Sequence, residues 1–239
     1  MRNLYCCQIT LIAGLLLACS VSSAQVTRGN YNFQDFQSKP YYFGLTLGYN
    51  SSSFQILNDD RFIRNDSFAI AEARPGSGLN VSIVTNLKVG DHFDIRFLPG
   101  FSFAERIIAF KPVNGDRETT RNIESVFVQA PFQVRYKSAP YRDKRVFVVG
   151  GFKYNYDVAS NSRVRKELAR SLIKISPHDF AVEVGAGIQF FFPFFIFSPE
   201  IKFSQGLGNI LIYNDELEQS LVIEKILSRA FTFSLHFEG

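Results

Sequence analysis

Tryptophan is absent from this 239-residue chain, methionine occurs once and histidine three times. Cysteine occurs three times, and Cys6, Cys7 and Cys19 all lie before residue 25. A chain cut after Ala24 would carry no thiol, which excludes disulfides, thiol catalysis and Cys-ligated metals. No calcium-loop, P-loop or zinc-ligand spacing occurs, so neither cofactor nor metal is expected. No apolar run reaches the roughly 20 residues of a spanning helix. The greasiest stretch, Ile188 to Phe197, is interrupted by Pro193, which a helix interior does not tolerate. The formal charge of +4, which loses Arg2 with the first residues, is too weak a bias for nucleic-acid binding.

What the chain has instead is phenylalanine. Its 26 Phe and 10 Tyr bring aromatics to 15%, within a hydrophobic content of 46%, yet mean hydropathy is +0.00. Apolar residues must therefore be dispersed by alternation. The stretch from Phe180 to Phe203 shows how. Phe180, Val182, Val184, Ala186, Ile188, Phe190 and Phe192 take one parity, and Ala181, Glu183, Gly185, Gly187 and Gln189 the other. Beyond Pro193, Phe195, Phe197, Ile201 and Phe203 alternate with Ser198, Glu200, Lys202 and Ser204. Period 2 over arms this long means strands. The charged parity cannot face a dry core and the Phe-rich parity cannot face water. A membrane barrel, with lipid outside and a polar lumen inside, meets both conditions.

Residues 1–24 read as a secretory leader, with Arg2 as its positive end, Ile9 to Ala18 as its apolar centre and cleavage between Ala24 and Gln25. Leu16-Leu17-Ala18-Cys19 also approximates a lipoprotein signal, so Cys19 is an alternative processing point. Residues 25–40 form a polar lead-in with Phe33 and Phe36 embedded, expected in the periplasm, and residues 41–239 form one barrel domain.

Alternation predicts eight strands: Tyr41–Asn50, Leu79–Val89, His92–Phe110, Asn122–Tyr136, Arg145 to about Val158, the two arms of the Phe180–Phe203 hairpin, and Leu227–Phe237. Gly90-Asp91, Lys137–Lys144 and the Pro193 tip are short turns. Ser51–Ser77, Lys111–Arg121, Ala159–His178 and Gly206–Ile226 are long loops. The fold class expected is all-β, an eight-stranded antiparallel outer-membrane β-barrel with long loops outside the cell. Its last strand ends beside Phe237, as expected of one read during barrel assembly. Eight strands leave an interior that side chains just fill. The lumen set Asp94, Arg96, Arg135, Lys153, Glu183, Glu200 and Lys202 mixes both signs, predicting a cross-linked plug. Asp94 and Arg96, two apart on the inward face, are placed to pair.

The parity is less clean at Phe147 and Val149, which are apolar on the inward side. Phe190, Phe192, Phe194, Phe195 and Phe197 crowd the Pro193 turn and suit a hairpin tip at the periplasmic membrane interface. Ser234 and His236 share the inward face of the last strand. That spacing arises often by chance and reads first as lumen packing, with catalysis the weaker alternative. The run Ser162–Lys174 carries Arg163, Arg165, Lys166, Arg170 and Lys174, with Val164, Leu168 and Leu172 at i, i+4 and i+8. A short amphipathic helix on an outer loop fits that spacing. It either packs over the barrel mouth or meets lipopolysaccharide phosphates or a protein.

Four stretches together resemble a known family. They are Lys39 to Gly44, Asp94-Ile95-Arg96-Phe97-Leu98-Pro99-Gly100-Phe101-Ser102-Phe103, Pro131 to Ser138, and Phe197 to Leu207. They are similar to the PorT family of outer-membrane barrels from Bacteroidetes. Where that family is expected to carry Glu-x-Pro, this chain has Gln129-Ala130-Pro131. The resemblance implies a non-enzymatic component of the type IX secretion system. Such a component is needed to export cargo proteins to the cell surface and, in some bacteria, to glide. Its implied partners are outer-membrane lipid, lipopolysaccharide and other type IX components, and it implies no catalytic residue.

Overall fold

The structure, a computed structural model, describes residues 31–58, 68–112, 119–159, 174–212 and 223–239. The leader, the Ala24–Gln25 junction and Arg163, Arg165, Lys166 and Arg170 lie outside the described residues, as does the helix expected around them. Lys174 is described only as the first residue of a two-residue strand.

The strands are β1 (Tyr41–Asn58), β2 (Phe68–Val89), β3 (Phe93–Phe97), β4 (Gly100–Pro112), β5 (Thr119–Lys137) and β6 (Lys144–Asp157). They continue with β7 (Lys174–Ile175), β8 (His178–Phe191), β9 (Ile196–Gly206), β10 (Leu211–Ile212) and β11 (Ile223–Glu238). All pairings are antiparallel. β11 closes onto β1, with Leu47 facing Leu235 and Tyr49 facing Phe233, so the main sheet has no free edge. β3 and β4 are one stave. Phe97 faces Thr85 and Phe132, and three residues on, Gly100 faces Ser82 and Gln129, so the register is unbroken across Leu98-Pro99. Pro99 has no N–H to give, but its carbonyl accepts from Ile83 N at 2.9 Å, and Leu98 N donates to Pro131 O at 3.1 Å. Eight staves result, as alternation predicts. β7 and β10 pair separately as a small ribbon.

One end of the barrel carries tight connections. Gly90, at φ 78°, turns β2 into β3. Arg142 and Asp143, at φ 46° and 55°, form the centre of a two-residue turn between Tyr141 and Lys144, which exchange both backbone bonds at 2.8 and 3.0 Å. Positive φ at both central positions matches the twist of the flanking strands. Phe192 to Phe195 joins β8 to β9. The long connections all leave the opposite end.

Two expectations change, and one irregularity is explained. The staves run further than expected at the long-connection end, because β1 continues to Asn58, β2 begins at Phe68 and β5 at Thr119. The guanidinium of Arg106 lies 4.8 Å from the ring centres of both Phe54, in the extended part of β1, and Phe127, and this inward stack anchors the β1 extension. In the residue 25–40 lead-in, the described part contains a helix, α1 (Tyr31–Gln37), that lies across the short-turn mouth. Phe33 and Phe36 are buried against Phe191 and Ile196, with Phe33 edge-on to Phe191 at 5.0 Å. Phe33 N donates to Asp143 Oδ1 at 3.1 Å, Asn32 Nδ2 to Phe191 O at 3.2 Å, and Lys88 Nζ to Phe36 O. Finally, the inward Phe147 has room because it lies against Gly187, where any Cβ would strike its ring.

The two faces of the wall differ as parity predicts. Outward Phe43, Phe101, Phe152, Phe180, Ile201 and Phe231 are exposed, while inward Thr46, Asn86, Asp94, Gln133 and Glu200 are buried. A closed apolar belt of this extent is not sustained by a protein surrounded by water.

Candidate functional site in the barrel lumen

Inward parity brings side chains from seven of the eight staves, all but β2, into a layered charged network. At the short-turn end, Lys137 Nζ pairs with Asp94 Oδ1, and Asp94 Oδ2 lies 3.9 Å from Arg135 Nη1. Arg135 Nη2 donates to Glu238 Oε1 at 3.1 Å. The same oxygen takes Arg96 Nη2 at 2.7 Å, and Arg96 Nη1 continues to Glu200 Oε2 at 3.1 Å. Glu200 Oε1 meets Lys202 Nζ at 3.2 Å and His236 Nε2 at 3.4 Å, and His236 Nδ1 lies 2.6 Å from Thr46 Oγ1. Tyr42 donates its hydroxyl hydrogen to Asp94 Oδ2 at 3.4 Å and accepts from Arg135 at 3.3 Å. The Arg135 guanidinium also stacks 4.2 Å above Phe147, which gives that inward aromatic its role.

A second layer sits further along the lumen. Lys153 Nζ pairs with Glu183 Oε1 at 2.9 Å, and Glu183 also accepts from Gln133 and Ser204, each at 2.8 Å. Towards the long connections the contacts become neutral or singly charged. Asn50, Asn80 and Ser102 bond one another, and Asp179 accepts from Ser228 at 2.7 Å and Asn155 at 3.2 Å.

All seven lumen residues expected from sequence point inward and all are paired. The expected Asp94–Arg96 pair does not form. A two-residue step along one strand sets the two side chains at different heights, so Asp94 turns to Lys137 and Arg135 on the adjacent stave β5 while Arg96 reaches across the lumen to Glu200 and Glu238. The sequence reading missed Glu238, Lys137 and Tyr42. Glu238 continues the inward parity of Ser234 and His236, and that was the available signal.

The interior is filled. Two cavities in the lumen hold about 20 Å³ each, room for roughly one water apiece. Burying this many charges is costly unless each finds opposite charge and hydrogen bonds, and the network supplies both. The chemistry it can support is mechanical: it fixes eight staves in register and closes the bore. Ser234 and His236 do not form a nucleophile–base pair. His236 is engaged by Thr46 and Glu200, and both it and Ser234 are buried. Among the described residues no cluster of His, Cys, Asp and Glu is arranged to hold a metal ion.

At the short-turn end the hairpin aromatics separate into two groups. Phe192 and Phe195 stack outside at 4.9 Å, Phe194 projects almost fully exposed, and Phe190 and Phe197 stack at 6.4 Å on the outer wall. Phe191 turns inward beneath α1.

A family model described as outer membrane protein beta-barrel domain matches residues 24–211. The outer membrane protein OprG from Pseudomonas aeruginosa is 11% identical, with a TM-score of 0.47 over 83% of this chain and 93% of that one. Ail, the attachment invasion locus protein of Yersinia pestis, is 10% identical, with a TM-score of 0.38 over 84% of this chain and 100% of that one. No curated protein matches in sequence.

Proposed function

Because this chain belongs to the outer membrane protein beta-barrel domain family, we propose that it is a closed, non-enzymatic barrel of the outer membrane serving type IX secretion of cargo to the cell surface. The observation that carries the first part is the plugged lumen. Glu238 and Glu200 bind Arg96, Glu238 binds Arg135, and α1 covers the short-turn mouth, so the barrel offers a scaffold and no conduit. Cargo would pass elsewhere in the assembly.

The secretion role is supported by the resemblance to the PorT family. Its two most specific stretches, Asp94–Phe103 and Phe197–Leu207, contribute Arg96 and Glu200, which pair across the lumen at 3.1 Å. Residues that carry the resemblance are thus the residues that lock the barrel. On this reading the short-turn end and α1 face the periplasm and other type IX components. The long connections, with Arg163, Arg165, Lys166, Arg170 and Lys174, face lipopolysaccharide.

A deletion strain tests the role. Cargo bearing C-terminal secretion signals should accumulate unprocessed in the periplasm, and a plasmid copy should restore export. Intact export in the deletion strain would leave a structural or adhesive surface barrel as the better reading.

A further inference from the structure

Among the described residues, the outer wall carries a concavity that alternation alone does not require. Register places Tyr136, Val148, Ala186, Ile201 and Phe233 in a single row across β5, β6, β8, β9 and β11. All five face outward. The small Ala186 sits at the centre, and the two rings form the walls. The neighbouring row towards the short turns, Val146 and Ile188 with Pro199, continues the floor. Together they bound an apolar groove of about 600 Å³ on the face that meets lipid.

The groove has a charged mouth. Lys144 shares the outward parity of Val146 and Val148, so it stands at the groove's short-turn end, in line with its floor. Arg142 lies two residues before it, projected by the tight Tyr141–Lys144 turn. Both side chains are exposed, each cation lies over a ring (Arg142 over Tyr141 at 5.5 Å, Lys144 over Phe190 at 5.6 Å), and no ion pair among the described residues engages either. The acid between them, Asp143, points its carboxylate to the Phe33 N–H. An apolar trough that ends on two unneutralised cations at a membrane surface matches a molecule with one long alkyl chain running to an anion.

We propose that this groove holds an acyl chain of an anionic glycerophospholipid, whose phosphate rests on Arg142 and Lys144. A bulk annular lipid would meet any part of the belt equally. This lipid is selected by the pairing of a small-residue floor with the basic turn, and cations at a bilayer surface favour anionic headgroups.

The test uses the full mature barrel reconstituted in nanodiscs containing equal phosphatidylglycerol and phosphatidylcholine, then released into detergent and weighed by native mass spectrometry. One phosphatidylglycerol should stay bound. R142Q and K144Q should each lower its retention about fivefold. A186F and the milder A186L, both outward-facing and checked for folding by heat-dependent gel mobility, should reduce it to the level of phosphatidylcholine. R229Q, which removes an exposed cation at the opposite end, should change nothing. Equal retention of the two lipids would overturn the proposal. So would full retention in folded A186F and A186L, or an equal loss in R229Q. Each of these results is independent of cargo export, which is read in cells.

Discussion

Replacing Glu238 with Gln removes one negative charge from the point where two guanidiniums meet. Its carboxylate accepts Arg96 at 2.7 Å and Arg135 at 3.1 and 3.4 Å, and all three side chains are fully buried. Without that charge Arg96 keeps Glu200 at 3.1 Å, but Arg135 is left with Asp94 at 3.9 Å and the Tyr42 hydroxyl. Breaking a buried pair by removing one partner costs about 3–5 kcal/mol, because the remaining charge stays desolvated. Surviving partners place E238Q at the lower end, at about 3 kcal/mol. R135M should cost a similar amount by stranding part of the Glu238 charge. The double variant R135M/E238Q removes both charges, so its cost should fall short of the sum by about 2 kcal/mol. Urea unfolding in lipid vesicles gives these values, followed by circular dichroism or by tyrosine emission, which no tryptophan obscures. Should E238Q cost under about 1 kcal/mol, or the two substitutions simply add, the network would not be what locks the staves.

Other consequences are independent of that network. F36A should free α1, raising amide exchange over residues 31–37 while β8 and β9 stay protected, because Phe36 is buried in one cluster with Phe33, Phe191 and Ile196; unchanged exchange there would contradict the helix's docking. I201R, placing a charge on the lipid face, should cost about 2–4 kcal/mol if Ile201 lies near the bilayer midplane, and the same change at Leu207 about 0–1 kcal/mol; vesicle unfolding compares the two. S234A and H236A should leave the lipid A profile unchanged, and an altered profile in either would revive an enzymatic role. Planar-bilayer recordings should show no steady conductance from wild type, and none from F33A/F36A, since the ion pairs close the lumen without α1.

How far the sequence was legible follows from what parity can carry. Two-residue alternation assigns a face, so it found the staves, the apolar belt and the inward charges Asp94, Arg96, Arg135, Lys153, Glu183, Glu200 and Lys202. It carries no information on height within the bore. Asp94 and Arg96 therefore looked like partners, although the structure sends Asp94 to Lys137 and Arg96 to Glu200 and Glu238. Alternation also fails where polar residues occupy both faces. Ser51, Ser52 and Ser53 read as loop, yet they pair with Phe231, Ala230 and Arg229 in β11. Phe33 and Phe36 are spaced i, i+3, which is a helical interval, but a seven-residue segment is too short for periodicity to stand out. The inward-facing Phe191 and Ile196, on either side of the Pro193 tip, were the other half of that signal. The groove over Ala186 was invisible for a further reason, because it arises from register across five staves and no single segment records it.

Everything rests on the wall having a lipid side and a lumen side that alternate residue by residue. Because Cys6, Cys7 and Cys19 all lie in residues 1–24, single cysteines can be placed one at a time in a chain of residues 25–239, which carries no other thiol. Spin labels at successive positions from Ile201 to Gln205 and from Phe231 to Leu235 in reconstituted bilayers report collision rates with oxygen, which concentrates in lipid. Strong collisions at Ile201, Phe203, Phe231 and Phe233, with weak ones at Lys202, Ser204, Thr232 and Ser234, are the predicted result. A flat profile, or one with the opposite parity, would contradict the barrel as described.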